Sequence, residues 1–117
     1  MARKTKQLSL LSTKDAYALE LEKDFQHRVT EVARIRNWSV YSIPDSRRAT
    51  LSGFPDLVLF RRSDGRLIFA ELKREKGRLS EPQKEILDTL REISGNGRFE
   101  VYVWRPSDYE EIVKILR

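Results

Sequence analysis

The chain contains no cysteine and only one histidine, His27, among its 117 residues. Without cysteine, neither disulfides nor thiolate metal sites can form. A single histidine also excludes zinc sites that are built from several histidines. Any metal bound by this chain must therefore be held mainly by oxygen atoms, the ligands that Mg²⁺ and Mn²⁺ prefer.

Long hydrophobic runs are also missing from the sequence. No run approaches the roughly 18 apolar residues that a membrane span needs, and the apolar patch near the basic start is too short for a secretion signal. Hydrophobic residues make up 39% and charged residues 35% of the chain, which favours one compact domain with a strongly solvated surface. We expect a basic, flexible arm over residues 1–12, a single domain over residues 13–117 and a cytoplasmic protein.

The net charge of +5 is unevenly distributed. Arg3, Lys4 and Lys6 in the arm carry three of the five net positive charges. The remaining excess is small, so the basic isoelectric point is compatible with a polyanionic partner without identifying one.

Hydrophobic periodicity predicts the element order α, β, β, β, α, β, α, and hence an α/β fold with a mixed central sheet flanked by helices. Leu21, Phe25, Val29 and Val32 recur at helical spacing and predict one long first helix over about 14–36. Strands are expected at about 38–43, 55–61, 66–73 and 99–104.

Capping signals predict where the two later helices begin. Ser80 with Gln83 three residues later, and a proline between them, is typical of a capping box. Ser107 and Glu110 have the same spacing, so a second capping box is expected to begin the last helix.

The most informative stretch is the hairpin from Gly53 to Lys73, whose turn contains Asp64 and Gly65. Glu71 and Lys73 point to one face of their strand because side chains alternate. A two-residue Asp64-Gly65 turn would put Asp56 opposite Lys73, and a turn shifted by one residue would put it opposite Glu71. Both registers cluster the three charges on one face; a three-residue turn would need a bulge to do so.

Two clustered carboxylates repel each other unless a cation lies between them. A hard divalent cation fits Asp56 and Glu71, with the Leu72 carbonyl and waters completing its shell. Such an ion would lower the pKa of a bound water, and Lys73 could stabilise developing negative charge on a phosphate. The alternative is a structural ion pair in which Lys73 neutralises both acids.

The pattern Pro55-Asp56 followed by Glu71-Leu72-Lys73 resembles the PD-(D/E)XK nuclease superfamily. A fuller string resembles its VRR-NUC branch over about residues 20–117. That string comprises Arg47-Arg48, Gly53 to Leu59, Glu71-Leu72-Lys73, Gly77 to Ser80, Gln83, and Val101 to Asp108.

The resemblance implies a restriction-endonuclease-like αβββαβ core with a C-terminal helix. It also implies a Mg²⁺- or Mn²⁺-dependent DNA endonuclease, with Asp56 and Glu71 as metal ligands and Lys73 as the catalytic lysine. Small stand-alone members are common in phages and bacteria, and a homodimer is compatible with them. Selectivity for branched or junction DNA is an open expectation, and a non-catalytic DNA-binding module on the same fold is the alternative function.

The family also implies an acid on the first helix. An ordinary flanking surface acid is the competing interpretation, and we expect Glu22 to be the acid that binds the metal or holds a water. It lies at the border of the apolar stripe, whereas the other acids of the helix are predicted to face solvent. Those other acids are Glu20, Asp24 and Glu31. Gln83 matches the helix glutamine of the family and is expected to contact the site, although its position in the capping box gives it a purely local role as well.

Four basic residues are predicted to bind the phosphates of a nucleic acid: Arg47, Arg48, Lys76 and Arg78. Solvated surface charge is the competing interpretation for each of them. Tyr102 and Trp104 could stack on bases, but aromatic residues within a strand more often belong to the core.

Overall fold

The computed structural model describes residues 13–43, 50–95 and 97–117. The arm predicted over residues 1–12 lies outside this range. The helices are α1 (Thr13–Leu19), α2 (Glu22–Ile35), α3 (Glu81–Ser94) and α4 (Tyr109–Ile115). The strands are β1 (Ser39–Ser42), β2 (Leu57–Arg61), β3 (Arg66–Leu72) and β4 (Glu100–Trp104), and a 3₁₀ turn over Pro106–Asp108 precedes α4. The predicted α/β class with a C-terminal helix is confirmed.

The prediction of one continuous first helix is wrong, because the chain is interrupted at Glu20 and Leu21. Leu21 has an extended backbone, with φ −76° and ψ 150°, and is 49% exposed at the start of α2. The buried stripe of α2 is instead Phe25, Val29 and Ala33, each spaced by one helical turn.

The interruption has a visible ion pair across it. The Glu20 carboxylate accepts two hydrogen bonds from the Arg28 guanidinium, at 2.7 and 2.8 Å. Glu20 therefore does not face solvent as predicted, because it lies back against α2. Two side chains eight residues apart could not pair in this way at the positions they would hold on one straight helix.

Strand order in the sheet is β1-β2-β3-β4, with the first three strands antiparallel and β4 parallel to β3 after the α3 crossover. Leu57 pairs with Ala70, and Arg61 pairs with Arg66. Four residues connect the paired positions, and the Gly65 N–H donates to the Arg62 carbonyl at 3.3 Å. Of the alternatives left open for the turn, this register is that of the turn shifted by one residue, and not that of the Asp64-Gly65 turn. The Arg61 guanidinium holds the Asp64 carboxylate within this turn, at 2.7 and 3.0 Å.

The main core lies between one face of the sheet and the helices α2 and α4. It includes Phe25, Val29, Leu57, Leu59, Ile68, Ala70, Leu72, Ile112 and Leu116, all essentially inaccessible to solvent. On the other face, Phe69 makes edge contacts with Phe54 and Phe99, with ring centres 5.8 and 5.3 Å apart. Within the described ranges, no helix is long and apolar enough to cross a bilayer.

The start of α4 differs from the capping box that was predicted at Ser107 and Glu110. The Asp108 carboxylate accepts the Arg105 backbone N–H at 2.8 Å. The Ser107 backbone N–H donates to the Glu75 carboxylate at 2.9 Å. The cap is therefore shared with a distant loop, which local sequence spacing could not reveal.

The end of α4 is fastened to the hairpin and to the residue before β1. Trp38 Nε1 and Arg61 Nη1 donate to the Leu116 carbonyl at 2.9 and 3.2 Å, and Arg66 Nη1 donates to the Ile115 carbonyl at 2.7 Å. Both guanidinium groups also lie over the Trp38 ring, 4.4 and 5.0 Å from its centre. These donors satisfy carbonyls that a helix end leaves without partners.

We expect Arg61→Lys to lower the free energy of unfolding by about 1–3 kcal/mol, because one ammonium cannot reproduce the planar, multiply bonded guanidinium. The Arg61 side chain is only 10% exposed, whereas Arg62 beside it is exposed. Urea unfolding of Arg61→Lys and of the matched control Arg62→Lys measures the difference. Equal stability of the two variants would show that the contacts of Arg61 with the end of α4 do not stabilise the protein.

Candidate active site

Asp56 lies immediately before β2, where the strand pairing brings it level with Glu71. Its carboxylate accepts the Leu72 backbone N–H at 2.8 Å, and its own carbonyl accepts the Ile43 N–H at 3.2 Å. These bonds hold the end of β3 and the residue after β1 to Asp56. The arrangement corresponds to the second of the two predicted registers, in which Asp56 is opposite Glu71.

Glu71 is 1% exposed, although it carries a carboxylate. One carboxylate oxygen accepts Gln83 Nε2 at 3.3 Å, and the other, Oε2, is buried without a hydrogen-bond partner. Burial, and after it the adjacent Asp56 carboxylate, raises the pKa of Glu71 to about 9, while Lys73 acts in the opposite direction. A buried acid with a free oxygen is unfavourable unless something else binds that oxygen.

Gln83 serves both of the roles considered for it. Its Oε1 accepts the Ser80 backbone N–H at 2.8 Å while Ser80 Oγ accepts the Gln83 N–H at 3.2 Å, which completes the capping box. Its Nε2 remains available and donates to Glu71. The cap therefore orients the amide toward the acid instead of competing with that contact.

The approach of α3 to this site depends on Gly53. Its φ of +91° is in the left-handed region, and a Cβ added there would lie 2.5 Å from the Pro82 carbonyl carbon. Only glycine fits such a contact. No local sequence pattern indicates this contact, because it joins segments nearly thirty residues apart.

Lys73 extends beside Glu22, with Nζ 4.0 Å from the Glu22 carboxylate. The lysine side chain is 14% exposed and the glutamate side chain is 49% exposed. Glu22, which was predicted on the first helix and lies at the start of α2, therefore reaches the site through Lys73. Among the described residues no three acidic or histidine side chains are arranged to hold an ion together, so the role of Glu22 as a metal ligand stays a prediction.

The contacts of Lys73 bear on the alternative of a purely structural ion pair. In the described part of the chain its ion pair is with Glu22, and Glu71 Oε2 keeps no hydrogen-bond partner. Lys73 therefore does not pair with both Asp56 and Glu71, as the structural alternative supposed.

The segment that follows Lys73 carries an outward row of positive charges. Arg74, Lys76 and Arg78 are exposed, whereas the residues between them are half-buried. None of the three forms an ion pair with another described residue. Arg74 was not among the predicted binding residues, and the alternation with Lys76 and Arg78 was the signal that could have identified it. Two predicted binding residues, Arg47 and Arg48, lie outside the described residues.

Tyr102 and Trp104 stack on each other with ring centres 5.2 Å apart. Trp104 is 2% exposed and belongs to the main core, against which Tyr102 packs. These contacts favour the core interpretation over stacking on bases.

Comparison with known proteins shows the family of the chain and agrees with its fold. The model of the VRR-NUC domain family matches residues 13–105. A solved structure described as a "VRR_NUC domain" matches with a TM-score of 0.62 at 20% identity, covering 80% of this chain and 94% of that chain. At this identity the match shows the fold alone. A search of curated proteins found no match.

We expect the metal-free protein to lose stability as pH rises, and Glu71→Gln to remove most of that loss. In the unfolded chain a glutamic acid ionises near pH ~4.3, whereas the pKa of Glu71 in the folded protein is about 9. Between these values the unfolded state binds fewer protons than the folded state, so the free energy of unfolding falls with increasing pH.

Urea unfolding in chelator at pH 5 and pH 8 measures this slope. The matched control is Glu85→Gln on the exposed surface of α3, which should keep the slope of the original protein. The same slope in Glu71→Gln and Glu85→Gln would exclude Glu71 as its source.

Proposed function

The chain belongs to the VRR-NUC domain family, and from that premise we propose that it is a divalent-metal-dependent DNA endonuclease that hydrolyses phosphodiester bonds. The observation that carries the proposal is the buried Glu71 carboxylate, whose Oε2 has no hydrogen-bond partner. A purely structural acid in this position would be expected to have both oxygens satisfied. We further propose the bacterial or phage-infected cytoplasm as its setting.

The donors at the end of the hairpin fit a hard divalent cation. Asp56 and Glu71 offer carboxylate oxygens, which suit Mg²⁺ or Mn²⁺. The Leu72 N–H faces Asp56, and a strand residue directs its N–H and C=O toward the same neighbour, which supports the Leu72 carbonyl as a third donor. Glu22 is proposed as a further ligand from the side of α2. A cation held there would neutralise phosphate charge and supply a water of lowered pKa.

The side chains of the site have distinct proposed tasks. The Lys73 ammonium stabilises negative charge as it develops on the phosphate, an interaction that strengthens where little water is present. Glu22 orients this ammonium across their 4.0 Å separation. Gln83 holds Glu71 in place, and the Leu72 N–H does the same for Asp56.

DNA binding is proposed for the exposed basic residues around the site. Lys76 and Arg78 would contact backbone phosphates, together with Arg47 and Arg48 from the loop before the hairpin. The non-catalytic alternative would use the same basic residues, but it offers no reason to bury Glu71 beside Asp56.

We expect Asp56→Asn and Lys73→Ala to lower the rate of DNA cleavage in Mg²⁺ by about 100-fold or more. The first change weakens the proposed cation site, and the second removes the ammonium that stabilises negative charge as it develops on the phosphate. Asp88→Asn and Lys84→Ala, matched changes on the exposed surface of α3, should leave the rate unchanged. Single-turnover cleavage of linear, flapped and four-way-junction DNA measures both rate and structure selectivity.

Two outcomes would reject the enzymatic proposal. Equal cleavage by all variants would indicate a contaminating nuclease. Salt-sensitive DNA binding that is unaffected by chelator, without any cleavage, would identify the non-catalytic module instead.

A homodimer is the proposed assembly, formed across the outer edge of β1, with which no other described strand pairs. Tyr41 and Phe60 are 59% and 48% exposed and lie on one face of the sheet, since Ser39 pairs with Phe60. The edge strand carries neither charge nor proline, the features that normally protect an edge from pairing. A second copy could pair there about a two-fold axis and present two sites to a branched substrate.

Light scattering should give the mass of a dimer for the original protein and of a monomer for Tyr41→Glu, because a charge at the paired edge opposes its own copy. The control Ile35→Glu adds the same charge at an apolar position that is 77% exposed on α2, and it should remain dimeric. A monomeric original protein, or a dimeric Tyr41→Glu, would reject this interface.

A further inference from the structure

We propose that Arg105 is a positioning residue that holds the segment 74–78 in the form that presents its basic side chains to DNA and that supports the Lys73 side chain. This inference rests on the proposed nuclease function. Arg105 follows β4 directly and is remote in sequence from the hairpin that carries the acids.

The guanidinium of Arg105 lies among the backbone carbonyls of this segment. Nη1 is 2.7 Å from the Arg74 carbonyl, 2.6 Å from the Gly77 carbonyl and 3.3 Å from the Glu75 carbonyl. The turn is closed by the Gly77 N–H, which also donates to the Arg74 carbonyl at 3.0 Å. A single cationic group therefore collects three carbonyl oxygens that would otherwise repel one another.

Two neighbours of Arg105 hold the same segment. The Trp104 carbonyl accepts the Lys73 backbone N–H at 3.0 Å, and the Ser107 N–H donates to the Glu75 carboxylate at 2.9 Å. The connection from β4 into the 3₁₀ turn thus binds the segment at its start and at its middle. Arg105 lies between these two attachments and is the part that bonds to the turn itself.

The hydrogen bonds from Arg105 and Ser107 to the segment 74–78 form a clamp, and this clamp determines which side chains of the segment face outward. With the carbonyls directed at Arg105 and the Glu75 carboxylate directed at Ser107, the exposed side chains are Arg74, Lys76 and Arg78. Without the clamp these three cations would not be held in one row. Phosphate contacts require several cations at fixed spacing along a backbone, so the row has the form of a phosphate-binding strip.

The turn also supports the lysine of the site. A Cβ added at Gly77 would lie 3.6 Å from Lys73 Cδ and 3.4 Å from the Arg74 carbonyl oxygen. The Lys73 stem therefore lies close to the turn, within van der Waals reach of a side chain at position 77, and its ammonium lies beside Glu22. Displacing the turn would release the lysine from one of the surfaces that orient it.

Arginine suits this task better than lysine does. Its planar group offers five donors in a fixed geometry and keeps its charge at any physiological pH. All three contacts with the carbonyls are made by Nη1, so the proposed role of Arg105 is exerted through the segment.

The test compares Arg105→Met with the control Arg62→Met, which removes the same charge from an exposed turn. DNA affinity is measured in chelator across a salt series, and single-turnover cleavage is measured in Mg²⁺. For Arg105→Met we expect DNA affinity to fall by about tenfold or more and the salt slope to shrink by about two, because each lost phosphate contact removes about 0.9 from the slope. The cleavage rate at saturating DNA should fall as well, while Arg62→Met changes the slope by less than about one.

A purely structural role would lower the melting temperature without changing the affinity or slope of the folded fraction. The DNA affinity and the salt slope of Arg105→Met are both corrected for the fraction of protein that is folded. If both then match those of Arg62→Met, the inference is overturned. Should Arg105→Met not fold, Arg105→Lys replaces it: an intermediate slope supports the inference, and the slope of the original protein overturns it. If the original protein neither binds nor cleaves DNA, the proposed function itself fails, and this result is distinct from the others.

Discussion

The burial of the Glu71 carboxylate is the constraint on which the rest of this structure depends. An acid that is 1% exposed, with one oxygen lacking a hydrogen-bond partner, is unfavourable for a small domain. The fold surrounds it with polar groups that limit this penalty without removing it. Gln83 donates to one oxygen, and Lys73 lowers the pKa that burial and Asp56 raise. Binding of a cation would offset the remaining free-energy cost of burying this carboxylate.

Each neighbouring element contributes to holding that acid in place. The sheet orders β2 and β3 at its centre, so the two hairpin acids meet where both faces are covered. The capping box of α3 orients Gln83, and the glycine at position 53 permits the close approach of that helix. On the far side of β3, the chain after β4 holds the basic segment through Arg105. The local geometry of the site thus depends on contacts from all parts of the described chain.

Predictions from sequence succeeded where a periodic or local rule decided the structure. The pairing of the hairpin strands has the one of the two expected registers that puts Asp56 opposite Glu71, and the capping spacing located the start of α3 at Ser80. They failed where a side-chain contact that hydrophobic periodicity and capping spacing do not record competed with the local rule, whether its partner was near or distant in sequence. The first helix is interrupted where Glu20 pairs with Arg28. The predicted cap of the last helix is absent: the Asp108 carboxylate accepts the Arg105 N–H of the preceding 3₁₀ turn, and the Ser107 N–H donates to the distant Glu75 carboxylate.

The sequence by itself determined the class of chemistry: oxygen ligands without thiols, two acids and a lysine on one hairpin, and the family to which they belong. Those properties depend on residue types and on the two-residue period of a strand, both of which are local. Only the tertiary structure decided which carboxylate is buried, that Lys73 pairs with Glu22, and that Arg105 binds the basic segment. Burial and pairing arise between segments far apart in the chain, and no local pattern records how closely such segments approach.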